Sequence, residues 1–154
     1  ITTDAQTLRF DADKVRPQGR TAGGVAGINL SANARVLFFG AVNLAVKDGE
    51  WASVVITIAG SSSALPGTQP GTGKVTPFAE YPAKGRGTGG VRCHRFLKGE
   101  DTLLFAWAGV APAIASASTG VPLPLPESDS RRDGSGTPIR QVVHSVAGPI
   151  PCDR

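Results

Sequence analysis

Cysteine is scarce in this sequence of 154 residues, and its two cysteines, Cys93 and Cys152, lie 59 positions apart. They form no Cys-x-x-Cys pair and have no histidine cluster beside them, so neither a zinc site nor a disulfide framework is indicated. We therefore expect no metal and no other cofactor. Reduced thiols in a cytoplasmic protein are favoured.

Long apolar runs are also missing, and none approaches the roughly 20 residues that a membrane helix needs. No basic leader with an apolar stretch opens the chain, which begins at Ile1 rather than methionine. We therefore expect a segment of a longer protein. With 40% hydrophobic and 18% charged residues, the composition is that of a soluble globular domain with a core.

Sustained helical periodicity is absent as well. Twenty glycines and twelve prolines separate short runs of Val, Ile, Leu and Phe, a pattern that predicts an all-β fold. The predicted strands cover residues 7–10, 25–30, 35–40, 52–58, 73–76, 91–96, 102–107, 113–117, 121–125 and 139–145.

A glycine-arginine segment occurs twice. Residues 19–25 read GRTAGGV and residues 85–91 read GRGTGGV, 66 positions later. The same offset pairs the apolar residues 37–39 with residues 103–105. Because the likeness covers a loop and the strands that flank it, each copy is predicted to be one supersecondary unit.

A third, weaker copy follows. Residues 120–123 resemble residues 73–76 at an offset of 47, and residues 139–140 resemble residues 91–92 at an offset of 48. The predicted units are residues 1–60, 73–117 and 118–150, with residues 61–72 as a loop insertion. Repeats of about 50 residues with several short strands favour propeller-like blades, and a two-sheet sandwich is the alternative.

Basic residues concentrate in the repeated loops. Residues 84–95 carry four of them and no acid, which equals the net charge of +4 of the whole chain. Equivalent loops around a propeller axis would form a positive stripe suited to a curved polyanion. Glycine would let backbone N–H groups approach phosphate oxygens beside the arginines. The alternative is that the glycine-arginine motif is only a tight connection between strands.

Residues 73–92, which read GKVTPFAEYPAKGRGTGGVR, resemble the repeat in the C-terminal domain of the A subunits of bacterial DNA gyrase and topoisomerase IV. Residues 98–101 match the Gly-Asp turn of that repeat. Residues 24–30 match its Gly-Val-Arg-Gly-Ile stretch, with Ala26 where arginine is usual. The resemblance implies an all-β, propeller-like β-pinwheel of short antiparallel strands, here a partial pinwheel of about three repeats.

The same resemblance implies a function. Such domains bind and bend double-stranded DNA by its backbone, while catalysis belongs to other domains of an ATP-dependent type II topoisomerase. The chain is therefore expected to be no enzyme itself, and to act in the cytoplasm at the nucleoid. Its expected partners are DNA, the ATPase partner subunit of the enzyme, and the remainder of the A subunit, with no membrane. The expected DNA-binding residues are Lys14, Arg16, Gln18, Arg20, Lys84, Arg86, Arg92, Arg95, Arg131, Arg132 and Arg140.

The family's gyrase box, Gln-Arg-Arg-Gly-Gly-Lys-Gly, corresponds to residues 18–24. This sequence matches it only at Gln18, Arg20 and Gly24. The departure places gyrase-type supercoiling in doubt and favours a parent of topoisomerase IV-like or divergent type. Arg20 and Arg86 are expected at equivalent, solvent-facing places. With few Asn or Gln in the loops, DNA binding should show little sequence preference.

Four other residues could take part in chemistry or base stacking, but each is expected to have a structural role. His94 lacks partners at catalytic or metal spacing, so a strand or rim position is expected rather than a ligand or base. Tyr81 occupies the place of a blade tyrosine and is expected to pack. Trp51 and Trp107 adjoin apolar strands, which favours burial over base stacking. A propeller-like protein-interaction module remains the alternative function.

Overall fold

The computed structural model describes residues 1–44 and 52–149. Within them the only helical elements are two short 3-10 turns, Ala12–Lys14 and Phe78–Glu80, so the all-β prediction is confirmed. The strands are β1 (Gln6–Thr7), β2 (Ser53–Gly60), β3 (Thr72–Pro77), β4 (Val91–Arg92), β5 (Thr102–Val110), β6 (Ile114–Ser116), β7 (Pro122–Leu123), β8 (Thr137–Pro138) and β9 (Ser145–Ala147).

The strands form three antiparallel sheets. The largest has the order β5-β2-β3-β8, β1 pairs with β4, and the third has the order β7-β6-β9. Strand β2 reads SVVITIAG and is buried on both faces, since Val55 and Ala59 belong to one core cluster and Ile58 to another. Its continuous apolar run therefore reflects a central strand rather than a half-exposed one.

The repeat predicted from sequence is visible in the pairing. β1 pairs with β4 as β3 pairs with β8: Thr7 lies opposite Val91, and Gly73 opposite Thr137. Thr7 and Gly73 are 66 positions apart, as the sequence predicted, whereas Val91 and Thr137 are 46 apart. The offset of 48 that would place Ile139 at the position of Val91 is therefore wrong by two residues. Short, degenerate repeats leave such small shifts undetermined.

These pairings also join the units. β4 follows the second glycine-arginine loop yet pairs with β1, and β8 follows the loop of residues 128–136 yet completes the sheet of β2, β3 and β5. Consecutive units therefore exchange a strand. Every sheet edge that is paired in this way is removed as a site for further strand addition.

The core has two parts, one between the first two units and one that includes residues of the third unit. One cluster contains Tyr81, Cys93, Val55, Ala59 and Leu103, and a second contains Ile58, Ala115 and Val143. The Tyr81 side chain is fully buried, which confirms that it packs. Burial raises the pKa of the Cys93 thiol, which donates to the carbonyl of Ala5 at 3.3 Å.

The predicted packing role of Trp107 agrees with its position. Its ring lies so close to Gly148 that a Cβ there would be 2.9 Å from ring atom Cη2. The ring thus packs between β5 and the segment that follows β9. Trp51 and Cys152 lie outside the described residues.

Two predicted strands are wrong. Residues 25–30 form no strand, and residues 35–40 form only an isolated bridge between Val36 and Thr2. Their apolar residues resemble a strand in sequence, but a strand needs a continuous ladder of backbone partners. Phe39 is accordingly 88% exposed. The predicted strand at residues 139–145 is also misplaced, because β8 ends before it and β9 begins at its last residue.

Candidate nucleic-acid interface

The first two glycine-arginine loops are bonded to each other. The carbonyl of Arg9 accepts the N–H of Lys84 at 2.9 Å, and that of Gly27 accepts the N–H of Gly87 at 2.6 Å. Residues 10–26 thus form a loop that is flanked on both sides by residues hydrogen-bonded to the second loop. We call residues 10–29 and 84–90 the joined loops.

The joined loops expose most of their predicted basic residues. All of residues 11–24 are exposed, including Lys14, Arg16, Gln18 and Arg20, and Lys84 of the other loop is exposed as well. Few apolar side chains and several glycines give residues 10–24 little to bury, which accounts for this exposure. The acids Asp11 and Asp13 lie immediately before Lys14 and reduce the local charge.

Glycines in these loops serve the packing of the chain itself. Gly90 has a φ of +78°, and a Cβ there would lie 2.5 Å from the carbonyl oxygen of Thr7. Only glycine fits such a close approach at positive φ. The amide of Gly87 is already bound by Gly27. For these two glycines this supports the alternative interpretation, in which the motif is a tight connection between strands. The approach of backbone N–H groups to phosphate stays a prediction.

Arg86 differs from Arg20. It is half-buried, and its Nη1 donates to the carbonyl of Ala26 across the joined loops. The expectation that both arginines face solvent is therefore met by Arg20 and not by Arg86. The cause is a free carbonyl on the neighbouring loop, which a sequence repeat does not reveal. Arg86 holds the joined loops together.

Arg92 and Arg95 follow the second loop in sequence and lie outside the joined loops. Arg92 is exposed on β4 opposite Gln6. Arg95 is exposed, and its N–H donates to the carbonyl of Gly134 at 3.0 Å. Arg95 therefore lies where the second unit meets the loop of residues 128–136, which we call the third loop.

The third loop has its own arrangement of charges. The N–H of Asp129 donates to the carbonyl of Val75 at 2.8 Å, as Lys84 donates to Arg9 in the second loop. Hydrogen bonds from Arg131, whose Nη2 lies 2.9 Å from Oδ2, hold the pKa of the Asp129 carboxyl below its usual range.

The other basic residues of the third unit are held differently. Arg132 is half-buried and donates to the carbonyl of Glu80 at 3.4 Å. Arg140 is exposed beyond β8. Lys14, Arg16, Gln18, Arg20, Lys84 and Arg86 thus lie in the joined loops and Arg131 and Arg132 in the third loop, whereas Arg92, Arg95 and Arg140 lie outside both.

Beneath the loops lies a buried lysine that the sequence patterns did not reveal. Lys74 is 2% exposed, and its Nζ donates to the carbonyls of Cys93, at 3.0 Å, and Arg132. Burial lowers its pKa to about 8. The signal available was its position within a predicted strand, residues 73–76, which the structure buries throughout. Lys74 ties the third loop to the second unit.

His94 is a core residue, so the prediction of a rim or strand position is wrong. It is 1% exposed and lies beyond the end of β4. Its Nε2 accepts the N–H of Gly136 at 3.1 Å, so the neutral ring carries its proton on Nδ1, which lies 2.9 Å from Oγ1 of Thr57. Burial, and then the charge of Lys74, lower its pKa to about 4.

Over residues 1–44 and 52–149, no helix is long and apolar enough to cross a membrane. In the same ranges, no three His, Cys, Asp or Glu side chains come together as metal ligands.

Units of short antiparallel strands that repeat along the chain and exchange strands with their neighbours define a propeller-like β-pinwheel. Residues 1–43 and 67–106 match the family model described as DNA gyrase C-terminal domain, beta-propeller. The chain belongs to this family.

Curated relatives agree with this assignment. The chain is 38% identical over 106 residues to the topoisomerase subunit TopoM of Mycolicibacterium smegmatis. The aligned residues cover 69% of this chain and 13% of that relative. It is 30% identical over 135 residues to the DNA gyrase A subunit of Staphylococcus epidermidis, covering 86% of this chain and 14% of the relative. The chain thus spans only about an eighth of the length of these relatives.

A solved structure has the same fold. The crystal structure of the C-terminal domain of DNA topoisomerase IV matches 96% of this chain and 44% of its own chain, with a TM-score of 0.60 and 19% identity. This confirms the predicted β-pinwheel, including its partial extent.

Proposed function

We propose that the chain binds duplex DNA through the phosphate backbone and bends it over the joined loops. In the intact protein this would steer strand passage and supercoiling by a type II topoisomerase. The observation that carries the proposal is the bonding of two arginine-bearing loops into one exposed basic surface. Family membership supports it.

The chemistry of the surface suits phosphate rather than base edges. Exposed arginine and lysine side chains neutralise phosphates and release the counterions condensed on DNA. In the joined loops the only amide side chains are Gln18 and Asn29, and amides are the groups that read adenine edges. Binding with little sequence preference follows.

The proposal extends to the intact protein. The relatives are named as topoisomerase and gyrase subunits, so we infer that the partners of this chain are an ATPase subunit together with the rest of an A-type topoisomerase chain. Catalysis would belong to those parts, and the protein would act in the cytoplasm at the nucleoid. The incomplete gyrase box favours a topoisomerase IV-like or divergent parent.

The experiment is a salt titration of binding to a fluorescent duplex. We expect log K to fall linearly with log salt for the natural chain, and Arg20→Glu with Lys84→Glu to make the slope shallower by about 2. The matched control is Arg35→Glu with Lys98→Glu, which reverses two exposed charges outside the joined loops.

The comparison separates the two candidate functions. A smaller effect of the control pair supports the joined loops as the binding surface. Equal effects of the two pairs would contradict it, because only general charge would then matter. A natural chain with little salt dependence would instead favour a protein-interaction module.

A further inference from the structure

The third loop carries less positive charge than the second. Residues 83–90 contain Lys84 and Arg86 and have a formal charge of +2, whereas residues 128–136 contain two arginines and two aspartates and sum to zero. The difference is specific in place, because Asp129 makes the backbone bond that Lys84 makes in the second unit. The repeat thus has a charge reversal at one structural position.

The aspartate at this position also binds the arginine that follows it. Arg131 stands two residues after Asp129, as Arg86 stands two residues after Lys84. The Asp129 carboxylate accepts from the backbone N–H, Nε and Nη2 of Arg131, at 2.9 to 3.2 Å. A guanidinium held by a carboxylate has fewer donors left for a phosphate, and the carboxylate repels one.

The other arginine of the loop is also held by the chain itself, because Arg132 is half-buried and donates to the carbonyl of Glu80. Yet the third loop is bonded to Arg95, an exposed basic residue, through the carbonyl of Gly134. Asp129 lies close to this bond, because a Cβ on Gly134 would be 3.5 Å from its Oδ2. A duplex bound at Arg95 would therefore lie near the Asp129 carboxylate.

We propose that Asp129 ends the DNA path on this domain: the duplex is held by the joined loops with Arg92 and Arg95, and a cation at position 129 extends the path over the third loop. This inference rests on the proposed DNA-binding function. It adds that the units contribute unequally to binding, in proportion to the charge at one repeated position.

The experiment compares Asp129→Lys with Asp133→Lys in the whole chain. Both change the charge of the third loop by the same amount, but only Asp129, which is half-buried, forms the ion pair with Arg131. We expect Asp129→Lys to steepen the slope of log K against log salt by about 1 to 2, since it adds a cation and releases another. Hydroxyl-radical footprints should lengthen with it. Asp133→Lys should change the slope by less than half as much.

Three results would overturn the inference. One is an unchanged slope and footprint for Asp129→Lys, and another is an equal gain from Asp133→Lys. The third is absence of salt-dependent binding by the natural chain, which would refute the proposed function as well. Urea unfolding checks each variant, and if Asp129→Lys is unfolded, Asp129→Asn replaces it with an expected steepening of about 1.

Discussion

His94 gives the fold a dependence on pH that can be worked out from its contacts. The ring is buried, its Nε2 accepts from Gly136, and its Nδ1 faces Thr57. A proton added to Nε2 would remove that acceptor and place a charge in the core near Lys74. Protonation therefore favours the unfolded chain, in which the imidazole is free in water.

The magnitude follows from the two pKa values of His94. The pKa is about 4 in the folded protein, against 6.5 for a solvated histidine. The stabilisation is fully present above the unfolded pKa and is lost as the pH falls from 6.5 towards 4. Linkage between these values gives a loss of about 2 kcal/mol in the free energy of unfolding from pH 7 to pH 5.

Urea denaturation at several pH values measures this loss. His94→Gln should show less than half of it, because glutamine can keep both hydrogen bonds and does not titrate. His144→Gln is the control, since His144 is exposed and its replacement leaves His94 in place. If the natural chain and His94→Gln lose the same stability, the assigned role of His94 is wrong.

Three further predictions use other contacts. Arg86→Ala removes the donor to Ala26 and should lower the free energy of unfolding by about 1 kcal/mol, measured by urea titration. Gly71→Ala should cost about 3 kcal/mol, since its Cβ would lie 2.2 Å from the carbonyl oxygen of Ala59; Gly67→Ala, at similar positive φ but in open space, should cost about 1 kcal/mol. Unrelated duplexes of equal length should compete within about tenfold of one another, as backbone contacts require. A hundredfold preference would contradict that expectation.

The repeat between the first two units was readable from the sequence because its loops need glycine at the same place. Gly24 and Gly90, 66 positions apart, have φ values of +84° and +78°, which favour glycine. The offset of 66 also appears in the strand pairing, between Thr7 and Gly73. The third unit differs because its loop is one residue longer, which hid the correspondence between Asp129 and Lys84.

Side-chain partners were much less predictable. Arg86 is charged and lies in a glycine-rich loop, yet its partner is a carbonyl 60 residues away in sequence. His94 and Lys74 are polar residues whose burial depends on the third loop packing against the second unit. Such contacts arise only after distant segments meet, so local pattern carries no signal for them.

Bending of the duplex over the joined loops can be measured by ligase-mediated circularisation of short DNA fragments. Fragments shorter than the persistence length of about 150 bp circularise poorly because bending them costs energy. We predict that the natural chain increases the rate of circle formation, and that Arg20→Glu with Lys84→Glu abolishes the increase at equal protein concentration. Tight, salt-dependent binding with no change in the rate of circularisation would refute the proposed bending, because the duplex would then lie unbent on the joined loops.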